Sequence, residues 1–336
     1  MSSIHNLSEY NLKINSYFAE LPAINQSRNS KTTLSSNVYY KHSAQSADNE
    51  QISDKGISTD KVSTMNEYEP QQPPYETIVV SEEENMEVVT LNRPKALNAM
   101  NPLMMLELQH YFGSLRYRQE VRVVLLKSEG KHFCAGLDIS PEFAVDVASG
   151  SEGLRIQNRV AEIVKLMRAC PQPIIAMVQG AACGGGFSLA LAADVRIAEP
   201  DTRMNTAFTQ VGFSACDVGS SYFLTRMLGT SVASELMLTG RFLLADRALR
   251  LGVVSSVVEK DQMESEARAI AADMLKISPM ALRLTKDGIN VNVDAGSLSA
   301  AIALEDRQQI LCGLSEDHQE ALASFREKRK PQYADK

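Results

Sequence analysis

Ala181 to Ala190 reads AACGGGFSLA, with three consecutive glycines at Gly184, Gly185 and Gly186. An apolar run, Pro173 to Val178 (PIIAMV), precedes it, and small and apolar residues continue from Phe187 to Ala193. The first run reads as a buried strand and the second as a close-packed helix. The glycines then stand where a strand hands over to a helix. The first N–H groups of a helix lack carbonyl partners within it, and the helix dipole places positive potential there. Glycine lets another group approach such backbone closely. The stretch reads as a turn that binds an oxygen gaining negative charge during a reaction.

Elements with matching signals surround this turn. Upstream, Thr77 to Ser81 and Met86 to Leu91 read as strands around the turn Glu82 to Asn85. A polar-apolar loop follows, and Asn101-Pro102 is a helix start, with asparagine as N-cap and proline at the first helical position. That helix is expected to run to about Tyr117. Val121 to Lys127 is a strand, and a helix from about Gly153 to Arg168 carries apolar residues at helical spacing. Downstream, Asp194 to Ala198, Arg203 to Thr206 and Val253 to Val258 read as strands. Helical patterns cover Ser221 to Leu228, Ser231 to Thr239 and Ala245 to Leu251. After Asp261 the patterns are helical only: Gln262 to Ile277, Pro279 to Asn290, Ser297 to Cys312 and Ser315 to Lys328. Strands alternating with helices, then helices alone, predict an α/β core with a helical cap.

The totals exclude several classes. The chain has 336 residues, a net charge of −7 and 44% hydrophobic residues, enough for a sizeable core. A mild acid excess does not point to nucleic acid or an anionic membrane. No window approaches a bilayer span and no secretory apolar region opens the chain. The five cysteines, Cys134, Cys170, Cys183, Cys216 and Cys312, form no CxxC pair, which suits a reduced intracellular protein with buried thiols. The five histidines are scattered, so no metal constellation is expected.

Residues 1–72 differ from the rest. Ser, Asn, Gln and Lys are frequent, apolar period is lacking, and the stretch ends in Pro70, Pro73 and Pro74. A disordered extension closed by a linker is expected. As a transit peptide it fits poorly: Glu9 and Glu20 are acidic, and Arg28 is the only arginine before Arg93. The ending Tyr333-Ala334-Asp335-Lys336 is not a peroxisomal signal. Mitochondrion and cytoplasm both stay open as compartments.

Several ordered motifs carry a resemblance: Leu91 to Met100 (LNRPKALNAM), Phe133 to Ile139 (FCAGLDI), Ala182 to Ala190 (ACGGGFSLA), Glu235 to Gly240 (ELMLTG), Leu251 to Val254 (LGVV) and Phe325 to Lys330 (FREKRK). In this order and spacing, the chain over about residues 75 to 333 resembles the crotonase, or enoyl-CoA hydratase/isomerase, superfamily. The resemblance implies a spiral of β-β-α units over 73–260. It also implies a C-terminal helical region over 261–336 that packs trimers, commonly paired as hexamers. It implies an acyl-CoA or enoyl-CoA thioester as substrate, with coenzyme A part of that substrate and no separate cofactor. By motif position, the backbone N–H groups of Leu137 and Gly185 would hold the thioester oxygen as it becomes enolate-like. Removing a proton α to a thioester loads charge on that oxygen, and two preset donors stabilise it. The resemblance further implies that Lys95, Ala96 and Leu97, with Asp138 and Ile139, line the nucleotide pocket. Lys328, near Lys330, would meet phosphate, in some family members on a neighbouring subunit. A solvated helix end favoured by the dipole is the other reading of these lysines.

The chain departs from the hydratase pattern at both water-activating glutamates. Ser188 stands at the first position and Phe208 at the second. Serine can hydrogen-bond water or substrate but is no base by itself, and phenylalanine does neither. One acid stands nearby, Asp217, close to the position of an acid/base aspartate in the dienoyl-CoA isomerases. A carboxylate beside an apolar acyl pocket has a raised pKa, which suits proton shuttling. Asp217 reads equally as the cap of a helix starting near Val218. Cys216 reads as an apolar buried thiol rather than a nucleophile. Isomerisation, hydration, thioester hydrolysis and acyl-CoA binding without catalysis all stay open.

Overall fold

The larger of two sheets has the order β1 (Ile78–Glu83), β2 (Met86–Leu91), β3 (Val123–Ser128), β4 (Ile174–Val178), β6 (Val195–Ala198) and β9 (Ser256–Val257). The computed structural model describes residues 75–141 and 149–336, within the compact unit Pro73–Lys336. The expected extension over 1–72 lies outside the described residues. β1 and β2 pair antiparallel, and the further neighbours pair parallel. Alternation gives this sheet two apolar faces. Val124, Leu126, Ile174, Ala176 and Val178 enter one core, while Val123, Leu125, Ile175 and Met177 enter the other. That is the pattern of parallel strands covered on both sides.

The smaller sheet contains β5 (Ala181–Cys183), β7 (Arg203–Asn205) and β8 (Leu243–Leu244), with β5 parallel to β7 and β7 antiparallel to β8. The chain visits the two sheets in turn: β4 then β5, and β6 then β7. The two earlier turns make the same excursion with single bridges in place of strands. Met100 pairs with Leu137, and Cys134 pairs with Ala182. The glycines do stand where a strand hands over to a helix, but that strand is β5 and not the run Pro173 to Val178. The run Ile174–Val178 ends at a turn where Gly180 adopts φ +55, and β5 intervenes before the glycines. A side chain at Gly180 would meet the Lys131 carbonyl at 2.3 Å, so the turn requires glycine. The expected strand Val253 to Val258 is also shorter. The N–H groups of Val253 and Val254 donate to Ala248 O instead, leaving Ser256 and Val257 to pair with β6.

Helices α1 (Pro102–Ser114), α2 (Gly150–Ala169), α3 (Gly185–Ala192), α4 (Ser220–Thr239) and α5 (Ala245–Arg250) belong to this spiral. Asn101 caps α1, its side chain accepting from Met104 N at 2.9 Å. Gly229, at φ 71 and ψ 165, breaks α4 into the two helical stretches that the sequence separates. Every residue of α3 is buried.

The C-terminal helices are α6 (Met263–Leu275), α7 (Pro279–Asn292), α8 (Leu298–Gly313) and α9 (Glu316–Glu327). Met263, Ala267 and Ala271 of α6 cover the second face of the larger sheet. Buried Lys286 of α7 fastens this region to the spiral. Its Nζ donates to Met167 O at 3.0 Å and Gln172 O at 2.7 Å, and pairs with Asp194 at 3.0 Å. Among the described residues no helix is long and apolar enough to cross a membrane.

The closest constraint in the spiral is the passage of α3 across the extended segment 133–138. A Cβ on Gly186 would stand 2.2 Å from the Cys134 carbonyl oxygen, which is rigid backbone. A Cβ on Gly185 would meet the flexible end of Met100 at 2.9 Å. Gly186→Ala is therefore expected to destabilise the protein by about 3 kcal/mol, and Gly185→Ala by about 1 kcal/mol, because only the second clash has a side chain that can yield. Urea unfolding midpoints of the two variants measure this; equal losses would contradict the packing argument.

Candidate active site

Three chain segments distant in sequence meet beside the N-terminus of α3. They are residues 97–100, 133–138 and 181–186. Asn98, fully buried, fixes the first to the chain just before the second. Its Nδ2 donates to Glu129 O at 2.8 Å and His132 O at 2.9 Å, and its Oδ1 accepts from Arg93 N at 2.8 Å. Ala135 N donates to Leu97 O at 3.0 Å, and Arg93 pairs with Asp138 at 2.9 Å. The second segment joins the third through Cys183 N to Cys134 O at 3.0 Å.

At this crossing the backbone is bent where only glycine fits comfortably. Gly136 has φ +102, and a side chain there would stand 2.8 Å from Cys183 O and 3.5 Å from Gly185 N. Gly184 has φ 51 and ψ −120 as N-cap of α3. A Cβ built on Gly185 would lie 3.9 Å from Leu137 N. The N–H groups of Leu137 and Gly185 are thus neighbours. The bridge to Met100 uses the flanking groups, with Met100 N on Gly136 O at 2.8 Å and Asp138 N on Met100 O at 3.0 Å. Leu137 N is left over by the bridge, and Gly185 N by the helix start. Neither donates to another group among the described residues. The positive end of the α3 dipole reinforces this pair of donors.

The two positions read as replaced glutamates lie beside the same turn. Phe208 is buried, its ring 3.5 Å from where a Cβ on Gly184 would stand. Ser188 is fully buried, and its hydroxyl shares a hydrogen bond of 2.9 Å with the Ser220 hydroxyl. Ser188, read in the sequence as a group that positions water or substrate, has this partner because its place in the first turn of α3 faces the first turn of α4. Ser220 carried no signal in the sequence, yet it ties the two helix starts together.

Asp217 lies in the loop before α4, about half buried. Its Oδ1 accepts from Val218 N at 2.8 Å and from the Gln157 side-chain amide of α2. Burial pushes its carboxyl above the usual carboxylate range, against the opposing effect of these two donors. The helix begins at Ser220 with Gly219 as N-cap, so Asp217 is not the cap expected from sequence. The reason is local: Val218 at φ 44 and Gly219 at φ 82 are both left-handed and delay the helix. Left-handed backbone at a β-branched residue is uncommon and costs energy. Gln157, on a helix 60 residues away, had no signal in the sequence.

The residues expected to line the nucleotide pocket belong to the first two of the three segments or adjoin them in sequence. Lys95 and Ala96 lie in a 3-10 turn, and Leu97 follows at φ 52. Leu97 and Ile139 are exposed apolar side chains. Asp138 is held by Ser140 N at 3.1 Å and by Arg93; burial raises its pKa, but these partners outweigh it and keep the carboxyl below its ordinary range. Lys328 is exposed at the left-handed C-cap of α9. The hydrogen bonds around that helix end tie it to the C-terminal tail, as in Gln332 N to Glu320 at 2.7 Å.

The thiols are poor nucleophiles where they are nearest the turn. Burial pushes Cys134 up to about 12 and also raises Cys183. Cys216 is exposed, which corrects the expectation of a buried thiol. Its loop packs Ala215 and Val218 inward and leaves Cys216 outside.

The family model described as enoyl-CoA hydratase/isomerase matches residues 81–336. A protein of Mycobacterium bovis named probable enoyl-CoA hydratase is 36% identical over 252 residues, covering 74% of this chain and 88% of its own. The short-chain-enoyl-CoA hydratase of Clostridium acetobutylicum is 34% identical over 254 residues, covering 75% and 95%. A crystal structure of an enoyl-CoA hydratase from Polaromonas aligns with a TM-score of 0.72 at 31% identity, covering 76% of this chain and 99% of that one. The alternating two-sheet spiral with its C-terminal helices is the crotonase fold, and the chain belongs to the enoyl-CoA hydratase/isomerase family of the crotonase superfamily.

Proposed function

We propose that this protein shifts a double bond in an enoyl-CoA thioester, with Leu137 and Gly185 N–H groups holding the thioester oxygen and Asp217 carrying the proton. The observation that carries the reading is the pair of neighbouring, unpartnered N–H groups at the start of α3. Asp217 takes a proton from the α carbon of a 3-enoyl thioester. The electron pair moves onto the thioester oxygen, where the two donors stabilise it. The same carboxyl returns the proton at the γ carbon, giving the 2-enoyl thioester. One group with a raised pKa suffices for both transfers. Coenzyme A enters as part of the substrate, its nucleotide along Lys95, Ala96, Leu97, Asp138 and Ile139.

Hydration is the second reading, favoured by the names of the hydratases to which the chain is similar. It requires a group to activate water. Phe208 provides none, and the Ser188 hydroxyl is engaged by Ser220. Isomerisation fits these residues better. Absorbance of the conjugated thioester separates the readings. The expected result is a rise with a 3-enoyl-CoA and little loss with a 2-enoyl-CoA; rapid loss with the 2-enoyl-CoA would instead favour hydration. Asp217→Asn is expected to lower kcat by about a hundredfold or more. Undiminished turnover would remove Asp217 from the chemistry.

The assembly that suits this site is a homotrimer or a dimer of trimers. α8 buries none of its residues in the single chain, although it carries Leu298, Ile302, Ile310 and Leu311. Phe325 on α9 is 84% exposed. Lys328 would then approach a CoA phosphate across a subunit boundary. Analytical ultracentrifugation is expected to give the mass of three or six chains, and a single-chain mass would overturn this arrangement.

A further inference from the structure

We propose that Gln157 is a positioning residue that assigns different tasks to the two oxygens of Asp217. The inference rests on the reading of Asp217 as the proton carrier. Both donors to this carboxyl converge on one atom: Val218 N–H at 2.8 Å and the Gln157 amide each donate to Oδ1. Oδ2 receives no hydrogen bond among the described residues. A carboxylate with one oxygen doubly bound and the other open takes up and delivers its proton at the open one. Oδ2 is therefore the atom that receives the substrate proton and returns it, and the carboxyl plane is set by Oδ1.

The holder is built from two elements that do not move together by chain connectivity. Val218 lies in the same loop, in strained left-handed backbone that brings its N–H onto the carboxyl. Gln157 comes from α2, the helix packed against α3 through the apolar core. One amide thus references the orientation of Asp217 to the helix layer that carries Gly185. The donors also favour the ionised form against burial. Among the described residues these two are its hydrogen-bond donors, and no Lys or Arg side chain is ion-paired with it.

Gln157 is exposed, so its replacement leaves the core intact. The test compares the pH dependence of kcat/KM toward a 3-enoyl-CoA for the wild type, Gln157→Ala, Gln157→Glu and Asp217→Asn. Gln157→Ala is expected to lower kcat on the order of tenfold to a hundredfold with KM little changed, as misorientation of a reacting group does. Its acid limb should move to higher pH, because a donor to the ionised carboxylate is lost. Gln157→Glu should move that limb further, since two carboxylates then share the site. An unchanged kcat and acid limb in Gln157→Ala, beside lost turnover in Asp217→Asn, would overturn the role of Gln157 alone. Full turnover in Asp217→Asn would overturn the reading beneath it and this proposal with it.

Discussion

The close passage of α3 over the Cys134 carbonyl is the contact on which the site depends. At Gly186 the two backbones approach to a distance that excludes any side chain. This approach sets the N-terminus of α3 against the segment 133–138 and makes the N–H groups of Leu137 and Gly185 neighbours. A side chain at Gly136 would push them apart in the same way. The donor pair thus comes from backbone packing and owes nothing to the chemical nature of the Leu137 side chain. The spiral supplies the unpaired groups. Its early turns reach the smaller sheet only as single bridges, so Leu137 N lies beyond the ladder.

Much of this was legible in the sequence because it follows from local signals. Pro279 marks the start of α7, and Ser297 and Ser315 precede α8 and α9 and cap them. The triple glycine pointed to a tight backbone approach, and it lies at one. The illegible features depend on tertiary neighbours. β5 is only three residues long and exists through pairing with β7 and Cys134. The cap expected at Asp217 was misplaced because left-handed Val218, a residue type that avoids this region, gives no sequence signal. Ser188 and Ser220 are 32 residues apart, so their hydrogen bond was invisible. The partners of buried Lys286, Asp194 and two carbonyls, are likewise tertiary neighbours far from it in sequence.

At the two positions where the hydratase pattern places a pair of acids, this chain carries Ser188 and Phe208. Phe208 packs against Gly184, and the Ser188 hydroxyl is engaged within the core. For Asp217, proposed as the proton carrier, burial favours the protonated form and two donors oppose this. Such a balance suits a group that must both accept and return one proton within a cycle.

The central claim is that the Leu137 and Gly185 N–H groups polarise the thioester carbonyl. Infrared difference spectroscopy of an acyl-CoA labelled with carbon-13 at that carbonyl, bound to the protein, measures this directly. The account predicts a C=O stretch displaced to lower frequency than in solution, as two strong hydrogen bonds weaken the double bond. A bound thioester whose C=O stretch matches that of the free compound would contradict it.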